Sequence, residues 1–359
     1  MPDHACLVTV VIPVFNSATT LWRAARSALK QSVWPLEVII VDDASRDASL
    51  AEAHRIAECD SRVRVIALPE NRGKSHAMNR AIAEARGRWI AVLDADDSYA
   101  DDRLAILLGA AESRGADLAA DNQSLLDAGA GRVVGSAFAE DRPDGPLTRG
   151  EFIAGCDAHA PFNYGMLKPI VRACFVRRTG LRYRESARLS EDFLWLVEFF
   201  AARGTAVLVS RPLYEWTQAF GSVSRRWTET GAGAWRYDFL QARAANAEVR
   251  NVLRAPEHND LIALLDRRDH ALRQLHWLRE MSRARREGSV AELPRLLLAH
   301  PSIWPILTRR VAAAAVRRAA GFARASGPMV AACHARRMTA RGFPIVRNAC
   351  RLACALLNR

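Results

Sequence analysis

The segment that decides the fold is Trp89-Ile90-Ala91-Val92-Leu93-Asp94-Ala95-Asp96-Asp97. Five apolar residues run directly into acids, which is typical of a strand buried on both faces of a parallel sheet that ends in a polar loop. Carboxylates packed at that point repel one another unless a cation or hydrogen-bond donors compensate. Because Mg²⁺ and Mn²⁺ prefer hard oxygen ligands, the segment indicates a metal site. The alternative is an acidic turn that caps a helix beginning near Asp101-Asp102-Arg103.

On either side of this segment, strands alternate with helices. The pattern predicts strands over 7–12, ended by Pro13, and over 37–41 and 64–68, with helices over 18–31, 48–58 and 75–85. Strands joined by helices of this length form βαβ units, so we predict an α/β, doubly wound sheet. A helix over 191–202 and strands over 206–209 and 213–217 close the domain.

Ligands bind at the carboxyl ends of the strands in such sheets. The four ends here are Pro13-Val14-Phe15-Asn16, Asp42-Asp43-Ala44-Ser45, Pro69 to Lys74, and Asp94 to Asp97. Three of them carry residues that can bind a polar, phosphate-bearing or metal-bound ligand. The alternative for Asp42 and Asp43 is an ordinary N-cap and turn, and Arg72 and Lys74 could be solvated loop charges.

Two common phosphate-binding motifs are missing from this pattern. Gly73-Lys74-Ser75 resembles the end of a P-loop, but the first glycine that the motif requires falls on Leu68. The glycine fingerprint of dinucleotide-binding folds is also absent after the first strand. A bound nucleotide would therefore contact carboxylates rather than a glycine-rich loop.

Charge divides the chain into two parts. Of the net charge of +12, residues 231–359 contribute +14 with 23 Arg, while residues 1–230 carry −2. The C-terminal part is rich in Ala, Leu and Arg, which favours helices. We therefore predict a catalytic domain over 1–230 and an Arg-rich, mostly α-helical extension over 231–359 that meets an anionic surface or packs on the catalytic domain.

Within the extension, Arg310, Arg317 and Arg324 recur every seven residues and form one cationic stripe on a helix over 303–326. A basic amphipathic helix can lie on an anionic membrane surface. The alternatives are a packed helical cap with its Arg face in water, and nucleic-acid binding. No nucleic acid is expected as a partner, because no nucleic-acid motif or interleaved aromatic residues support it.

The predicted location is cytoplasmic, with peripheral attachment at the inner face of the cell membrane as a further hypothesis. Seven cysteines without a CxxC pair favour a reducing compartment. The start of the chain lacks the features of a signal peptide, and no stretch is long and apolar enough to span a bilayer.

Four ordered segments resemble the successive signatures of family 2 glycosyltransferases with the GT-A fold: Thr9–Asn16, Val41–Ser45, Asn71–Gly73 with Asn79, and Leu93–Asp97. The likeness covers about residues 5 to 220. It implies a mixed, mainly parallel Rossmann-like sheet and a nucleotide-sugar donor, usually a UDP-sugar.

The resemblance also implies roles for single residues. Pro13, Phe15 and Asn16 would wrap the nucleoside, and Asp43 would contact the base. Arg72 and Lys74 would approach the phosphates or the base. Asp94 and Asp96 would hold Mn²⁺ or Mg²⁺ against the diphosphate.

The general base is expected in Ser190-Glu191-Asp192. The residues alone favour a plain helix start, with Ser190 as N-cap and two acids in the first turn. Family 2 enzymes carry a Glu-Asp pair at this distance whose Asp is the catalytic base, so the resemblance implies that role for Asp192. One carboxylate near the acceptor hydroxyl and one metal on the leaving group suffice for an inverting transfer.

Later segments resemble a subgroup of the family that acts in bacterial exopolysaccharide assembly, including succinoglycan glucosyltransferases: Asn163–Arg172, Tyr183–Glu185, Tyr214–Trp216 and Gly221–Arg225. Processive synthases of the family instead carry Gln-x-x-Arg-Trp, and Val223 stands where that Gln would be. We therefore predict the transfer of one hexose to a saccharide or lipid-linked acceptor in cell-surface polysaccharide synthesis. The rival hypotheses are a non-catalytic nucleotide-sugar-binding scaffold and a nucleotidyltransferase.

Overall fold

The computed structural model describes residues 6–156, 162–218 and 238–286. The strands in this part of the chain are β1 (Val8–Val14), β2 (Leu36–Asp42), β3 (Val63–Ala67), β4 (Trp89–Val92), β5 (Ser98–Tyr99), β6 (Leu118–Asp127), β7 (Arg132–Ser136), β8 (Gly145–Pro146), β9 (Ile170–Arg172) and β10 (Ala206–Gln218).

The helices are α1 (Leu21–Leu29), α2 (Ser49–Cys59), α3 (Lys74–Glu84), α4 (Arg103–Ser113), α5 (Arg149–Gly155), α6 (Ala173–Thr179), α7 (Glu191–Ala201), α8 (Phe239–Val252) and α9 (Asn259–Arg286). Short 3₁₀ turns occupy Tyr164–Met166 and Pro256–His258. Every strand and helix predicted before residue 94 is present, with ends shifted by a few residues.

The strands form one sheet in the order β3-β2-β1-β4-β9-β6-β10-β5, with β7 beside β6 and β8 beside β10. β1 pairs in parallel with β2 and β4, β2 with β3, and β6 with β10, whereas the pairings of β5, β7, β8 and β9 are antiparallel. The predicted mixed, mainly parallel sheet is confirmed. Strand order reverses between β1 and β4, and such a reversal is where open α/β sheets bind ligands.

Alternate residues of the central strands face opposite layers of the core. Val11 and Val92 pack in one apolar cluster with α3 and α7, whereas Val10 and Ala91 pack in the other with α1 and α4. Burial on both faces explains why β1 and β4 read as unbroken apolar runs. It also means that only the strand ends are open to a ligand.

Two local predictions were wrong. Pro13 does not end β1, which continues to Val14, because pairing with β4 stops at Val11 and a missing N–H at Pro13 is then tolerated. The two strands expected over 206–217 are a single strand, β10, which keeps pairing with β6 through irregularities at Pro212.

The chain divides into two compact units, residues 1–273 and 274–359. The core of the first unit includes Ala245 and Val249 of α8 and Leu261 of α9. The first compact unit therefore extends beyond residue 230. Residue 231, the predicted start of the extension, and the Arg stripe over 303–326 both lie outside the described residues. Among the residues described, no helix has the length and apolar character needed to cross a bilayer.

Candidate active site

Two lysines join Asp94 to Asp192. Lys74 Nζ lies 2.7 Å from Asp94 Oδ1, 3.1 Å from Asp192 Oδ2 and 3.2 Å from Glu191 Oε1. Lys168 Nζ lies 2.7 Å from Asp94 Oδ2 and 2.5 Å from Asp192 Oδ2. Acids almost a hundred residues apart in the chain therefore share the same two ammonium groups at the carboxyl end of β4.

Helix α3 brings the acids of α7 to this point. Ser75 Oγ donates to Ala187 O at 3.0 Å, and Asn79 exchanges two hydrogen bonds with the backbone of Tyr183. Residues 75 and 79 are one turn apart and share a face of α3. The segment that leads into α7 is thereby fastened along α3, whose first residue is Lys74.

The backbone of Lys168 is held from the opposite side of the sheet by Arg103. The guanidinium of Arg103 donates to Lys168 O and forms a buried ion pair with Asp121, in which Nη2 lies 2.7 Å from Oδ1. The same guanidinium lies over the rings of Tyr99 and Tyr214, with its central carbon 4.3 Å and 5.1 Å from the ring centroids. A fully buried cation thus anchors one of the two site lysines.

The charges of the cluster shift one another's pKa values. Burial alone would raise the pKa of Asp94, but Lys168 and Lys74 hold it well below its ordinary value. Burial alone would lower the pKa of Lys74, but Asp192, Asp94 and Glu191 together raise it far above the usual range for lysine. Burial would also lower the pKa of Lys168, but Asp192 and Asp94 raise it above its ordinary value. Both lysines and Asp94 are therefore charged at neutral pH.

Asp96 differs from Asp94 in having no ion pair with a side chain among the described residues. Its backbone carbonyl accepts a hydrogen bond from Arg23 Nη2 at 2.5 Å, which fixes the turn. Burial and then the charge of Asp94 raise the pKa of the Asp96 carboxyl. A cation beside it would relieve both effects, so Asp96 fits one ligand of a divalent ion.

Asp94 fits a metal less simply, because each of its oxygens already contacts an ammonium. In the described part of the chain, no three His, Cys, Asp or Glu side chains are grouped closely enough to hold a metal ion. A metal at Asp96 would therefore need further oxygens, which a bound phosphate group can offer.

Asp97 is a structural member of the acidic turn. Its carboxylate accepts from Tyr214 Oη at 2.7 Å and from Thr217 N at 2.8 Å, and the Tyr214 hydroxyl in turn accepts from Asp94 N at 3.1 Å. Burial, then the charges of Asp96 and Asp94, raise the pKa of Asp97 far above its ordinary value. The turn after β4 is thereby attached to β10.

The loops after β1 and β2 are tied to each other and to the start of α3. Asn16 Oδ1 accepts a hydrogen bond from Arg46 N at 2.8 Å. The backbone of Asn16 is in the left-handed region, with a φ of 52°. The two carboxylate oxygens of Asp43 accept from Arg72 N at 2.8 Å and Gly73 N at 2.7 Å. Phe15 is 44% exposed, so its ring is available at this edge of the sheet, whereas Pro13 is buried in β1.

The predicted donor-binding residues thus fall into two groups. Asp94, Asp96 and Lys74 lie at the end of β4 with Asp192, whereas Phe15, Asn16 and Asp43 lie at the ends of β1 and β2. The half-exposed side chain of Arg72 pairs with Glu185 at 3.2 Å, and no ion pair joins it to the three carboxylates around Lys74.

The capping alternatives hold in part, because Glu191 and Asp192 do lie in the first turn of α7, directly after its N-cap residue. The N-cap residues of α2, α4 and α7 are Ala48, Asp102 and Ser190, and none of them makes a side-chain capping hydrogen bond. Asp42 instead accepts from Ser45 N at 3.0 Å. A capping role was an alternative prediction for each of these acids, because Asp and Ser are common both as helix caps and as site residues.

Sequence reasoning missed Lys168 as a site residue. A compositional signal was available: the chain has 48 Arg and only 3 Lys, at positions 30, 74 and 168, and two of the three meet at this site. A lysine head group is compact and offers three donors around one nitrogen, whereas arginine offers a planar fork. Lys74 uses this geometry to bridge three carboxylates.

Comparisons with known proteins identify the family to which this chain is similar. The model of glycosyl transferase family 2 matches residues 9–126. The succinoglycan biosynthesis protein ExoO of Rhizobium meliloti (strain 1021) is 39% identical over 221 residues, which are 61% of this chain and 62% of ExoO. The chain thus spans less than two thirds of that relative. The glycosyltransferase GlyG of Streptococcus pneumoniae serotype 4 is 30% identical over 220 residues, 61% of this chain and 73% of GlyG.

Solved structures share the fold at low sequence identity. TarS 1-349 of S. aureus, in complex with UDP-GlcNAc, superposes with a TM-score of 0.53 at 16% identity over 82% of this chain and 91% of TarS 1-349. The mannosyltransferase PcManGT of Pyrobaculum calidifontis, in complex with GDP-Man and Mn²⁺, superposes with a TM-score of 0.51 at 18% identity over 99% of this chain and 87% of that protein. Both similarities concern the GT-A fold.

Proposed function

This chain belongs to glycosyl transferase family 2, and from that premise we propose that it transfers a hexose from a nucleotide sugar to a saccharide or lipid-linked acceptor with inversion. A UDP-sugar is the proposed donor, and cell-surface polysaccharide synthesis is the proposed setting. The similarity to ExoO supports the setting, and the UDP-GlcNAc complex of TarS is consistent with the donor class.

One observation carries the proposal: Asp192 and Asp94 meet at the ligand-binding edge of the sheet, joined by Lys74 and Lys168. A transferase needs a base for the acceptor hydroxyl close to a site for the departing diphosphate. A scaffold that only bound a nucleotide sugar would have no need of a carboxylate on the acceptor side.

In the proposed mechanism, Asp192 takes the proton of the acceptor hydroxyl as its oxygen attacks the anomeric carbon. The new glycosidic bond forms while the bond to the diphosphate breaks, and the electron pair leaves with the nucleoside diphosphate. Both lysines donate hydrogen bonds to Oδ2 of Asp192, and Oδ1 accepts none from the described residues. We assign the proton to Oδ1, the oxygen that neither lysine hydrogen-bonds.

A divalent cation, Mn²⁺ or Mg²⁺, would be held by Asp96 and, after displacement of an ammonium, by Asp94. Such an ion neutralises charge on a leaving diphosphate. The Mn²⁺ complex of PcManGT is consistent with this assignment. The proposed nucleoside contacts are Pro13, Phe15, Asn16 and Asp43, with the exposed ring of Phe15 as the surface that a base can stack on.

A donor panel tests this function. We expect one nucleotide sugar, most simply a UDP-hexose, to release its nucleoside diphosphate when Mn²⁺ or Mg²⁺ and a lipid-linked saccharide are present, and chelation with EDTA to reduce that release. The measurement is a coupled assay of nucleoside diphosphate across UDP-, GDP- and TDP-sugars. Specific donor binding without any release, across acceptors, would favour the scaffold alternative.

The residues after 230 are proposed as an Arg-rich helical extension with a membrane-surface role, which places a cytoplasmic enzyme at the inner face of the cell membrane. We expect vesicles that contain anionic lipid to co-sediment the full chain, and about 0.5 M salt to release it, because salt screens surface charge. Replacing Arg310, Arg317 and Arg324 with Gln should weaken co-sedimentation. Equal pelleting of this variant and the wild-type chain would contradict the role of 303–326.

A further inference from the structure

Lys168 has a hydrogen-bond donor that the cluster does not use. A lysine ammonium carries three N–H donors. Lys74 Nζ lies within ion-pair distance of three carboxylates, those of Asp94, Glu191 and Asp192, whereas Lys168 Nζ lies near only those of Asp94 and Asp192 among the described residues. One N–H of Lys168 is therefore left for a further acceptor.

The position of this ammonium is built rather than incidental. The side chain of Lys168 is 11% exposed, so little water is available to its remaining N–H. Its backbone carbonyl accepts from Arg103, and the next residue, Pro169, accepts from Val92 N at 3.4 Å through its carbonyl. Contacts of both its side chain and its neighbouring backbone therefore hold Lys168 at the end of β4.

We propose that Lys168 is a catalytic residue that donates its third N–H to the donor's diphosphate. This inference rests on the proposed function, and it assigns Lys168 to the leaving group. As the anomeric carbon–oxygen bond breaks, the electron pair goes to the diphosphate oxygen, and Lys168 stabilises that charge while remaining an ammonium. The acceptor proton goes to Asp192, so no proton moves through Lys168.

The two lysines then have different tasks. Lys74 is surrounded by three carboxylates, and its contacts hold Asp192 and Glu191 against Asp94. Lys168 links the carboxylate that receives the proton to the group that leaves. A compact ammonium suits both tasks, since arginine would place its donors in one plane.

Binding of pyrophosphate, a probe without base or sugar, tests this assignment. We expect Lys168→Met to weaken pyrophosphate binding and nucleoside diphosphate binding by about 10- to 100-fold, the loss expected for one hydrogen bond between charged groups. Binding of the matching nucleoside should not change. Calorimetry at fixed Mg²⁺ and again with EDTA should give the same difference, and Lys30→Met, on an exposed lysine, is the matched control.

Several results would overturn the proposal. They are unchanged pyrophosphate affinity in Lys168→Met, an equal loss for nucleoside and nucleoside diphosphate, or no pyrophosphate binding by the wild-type chain. If Lys168→Met does not fold, Lys168→Gln removes the charge while keeping a polar head, and the same loss is expected. Transfer by the wild-type chain in the donor panel, together with unchanged diphosphate affinity in the variant, would reject this inference and leave the proposed function standing.

Discussion

Asp192→Asn is expected to lower kcat by about 10²- to 10⁴-fold, the usual contribution of a positioned general base. The amide keeps the size of the side chain and its contacts to Lys74 and Lys168 through one oxygen, but it cannot take a proton. Donor binding should stay within a few-fold of the wild-type value, because the diphosphate is bound by other groups. Steady-state kinetics and nucleoside diphosphate titration measure the two effects separately.

Glu191→Gln is the matched control, because Glu191 directly precedes Asp192 in α7. Of the two lysines, Glu191 forms an ion pair only with Lys74, at 3.2 Å. We expect a much smaller fall in kcat, because Glu191 accepts no proton in the mechanism. Full turnover by Asp192→Asn would remove Asp192 from its role. If kcat fell equally in both variants, the negative charge of the cluster, and not proton transfer to Asp192, would account for the loss of activity.

Arg103→Met is expected to lower the free energy of unfolding by about 3–5 kcal/mol, the typical cost of removing one partner of a buried ion pair. Arg103 and Asp121 are 0% and 1% exposed, so the variant would leave Asp121 buried without its partner. The variant should also lose activity, because the anchor of the Lys168 carbonyl disappears. Urea unfolding and donor turnover test the two consequences.

Arg250→Met serves as the control for Arg103→Met. Arg250 lies 2.6 Å from Asp266, but the two side chains are 49% and 51% exposed. Surface pairs of this kind contribute about 0–1 kcal/mol, so the urea midpoint should scarcely move. Equal midpoints for Arg103→Met and the wild-type chain would show that the buried pair does not stabilise the fold.

The first half of the sheet was predictable from sequence because its signals are local. Apolar runs such as 8–12 and 38–41 identify strands buried on both faces, and the helices between them follow from amphipathic spacing. The β6–β10 pair was not predictable in the same way. Its partners are separated by more than eighty residues, and polar Asp121, Asn122 and Gln123 lie buried in β6. A polar strand of this kind depends on partners such as Arg103 that no local pattern reveals.

The residues of the candidate site likewise differ in whether local sequence could predict them. Asp43, Asp94 and Asp96 could be named from sequence because each follows a predictable strand, and parallel strand ends meet at one edge. Asp192 could be named through family likeness, since its own surroundings read as an ordinary helix start. Lys168 was not predicted as a site residue, because no pattern in the neighbouring sequence distinguishes a single lysine that precedes a proline.

The amino-acid sequence by itself determined the strand–helix alternation, the acidic ends of β2 and β4, and the concentration of Arg after residue 230, because these depend on neighbouring residues alone. The tertiary structure decided which charges meet. Ser75 and Asn79 fasten the approach to α7 onto α3, Arg103 fixes Lys168, and two ammonium groups then hold Asp94 and Asp192 together. Electrostatic energy falls with distance in space and not along the chain, so the pairing of these charges exists only once the fold has formed.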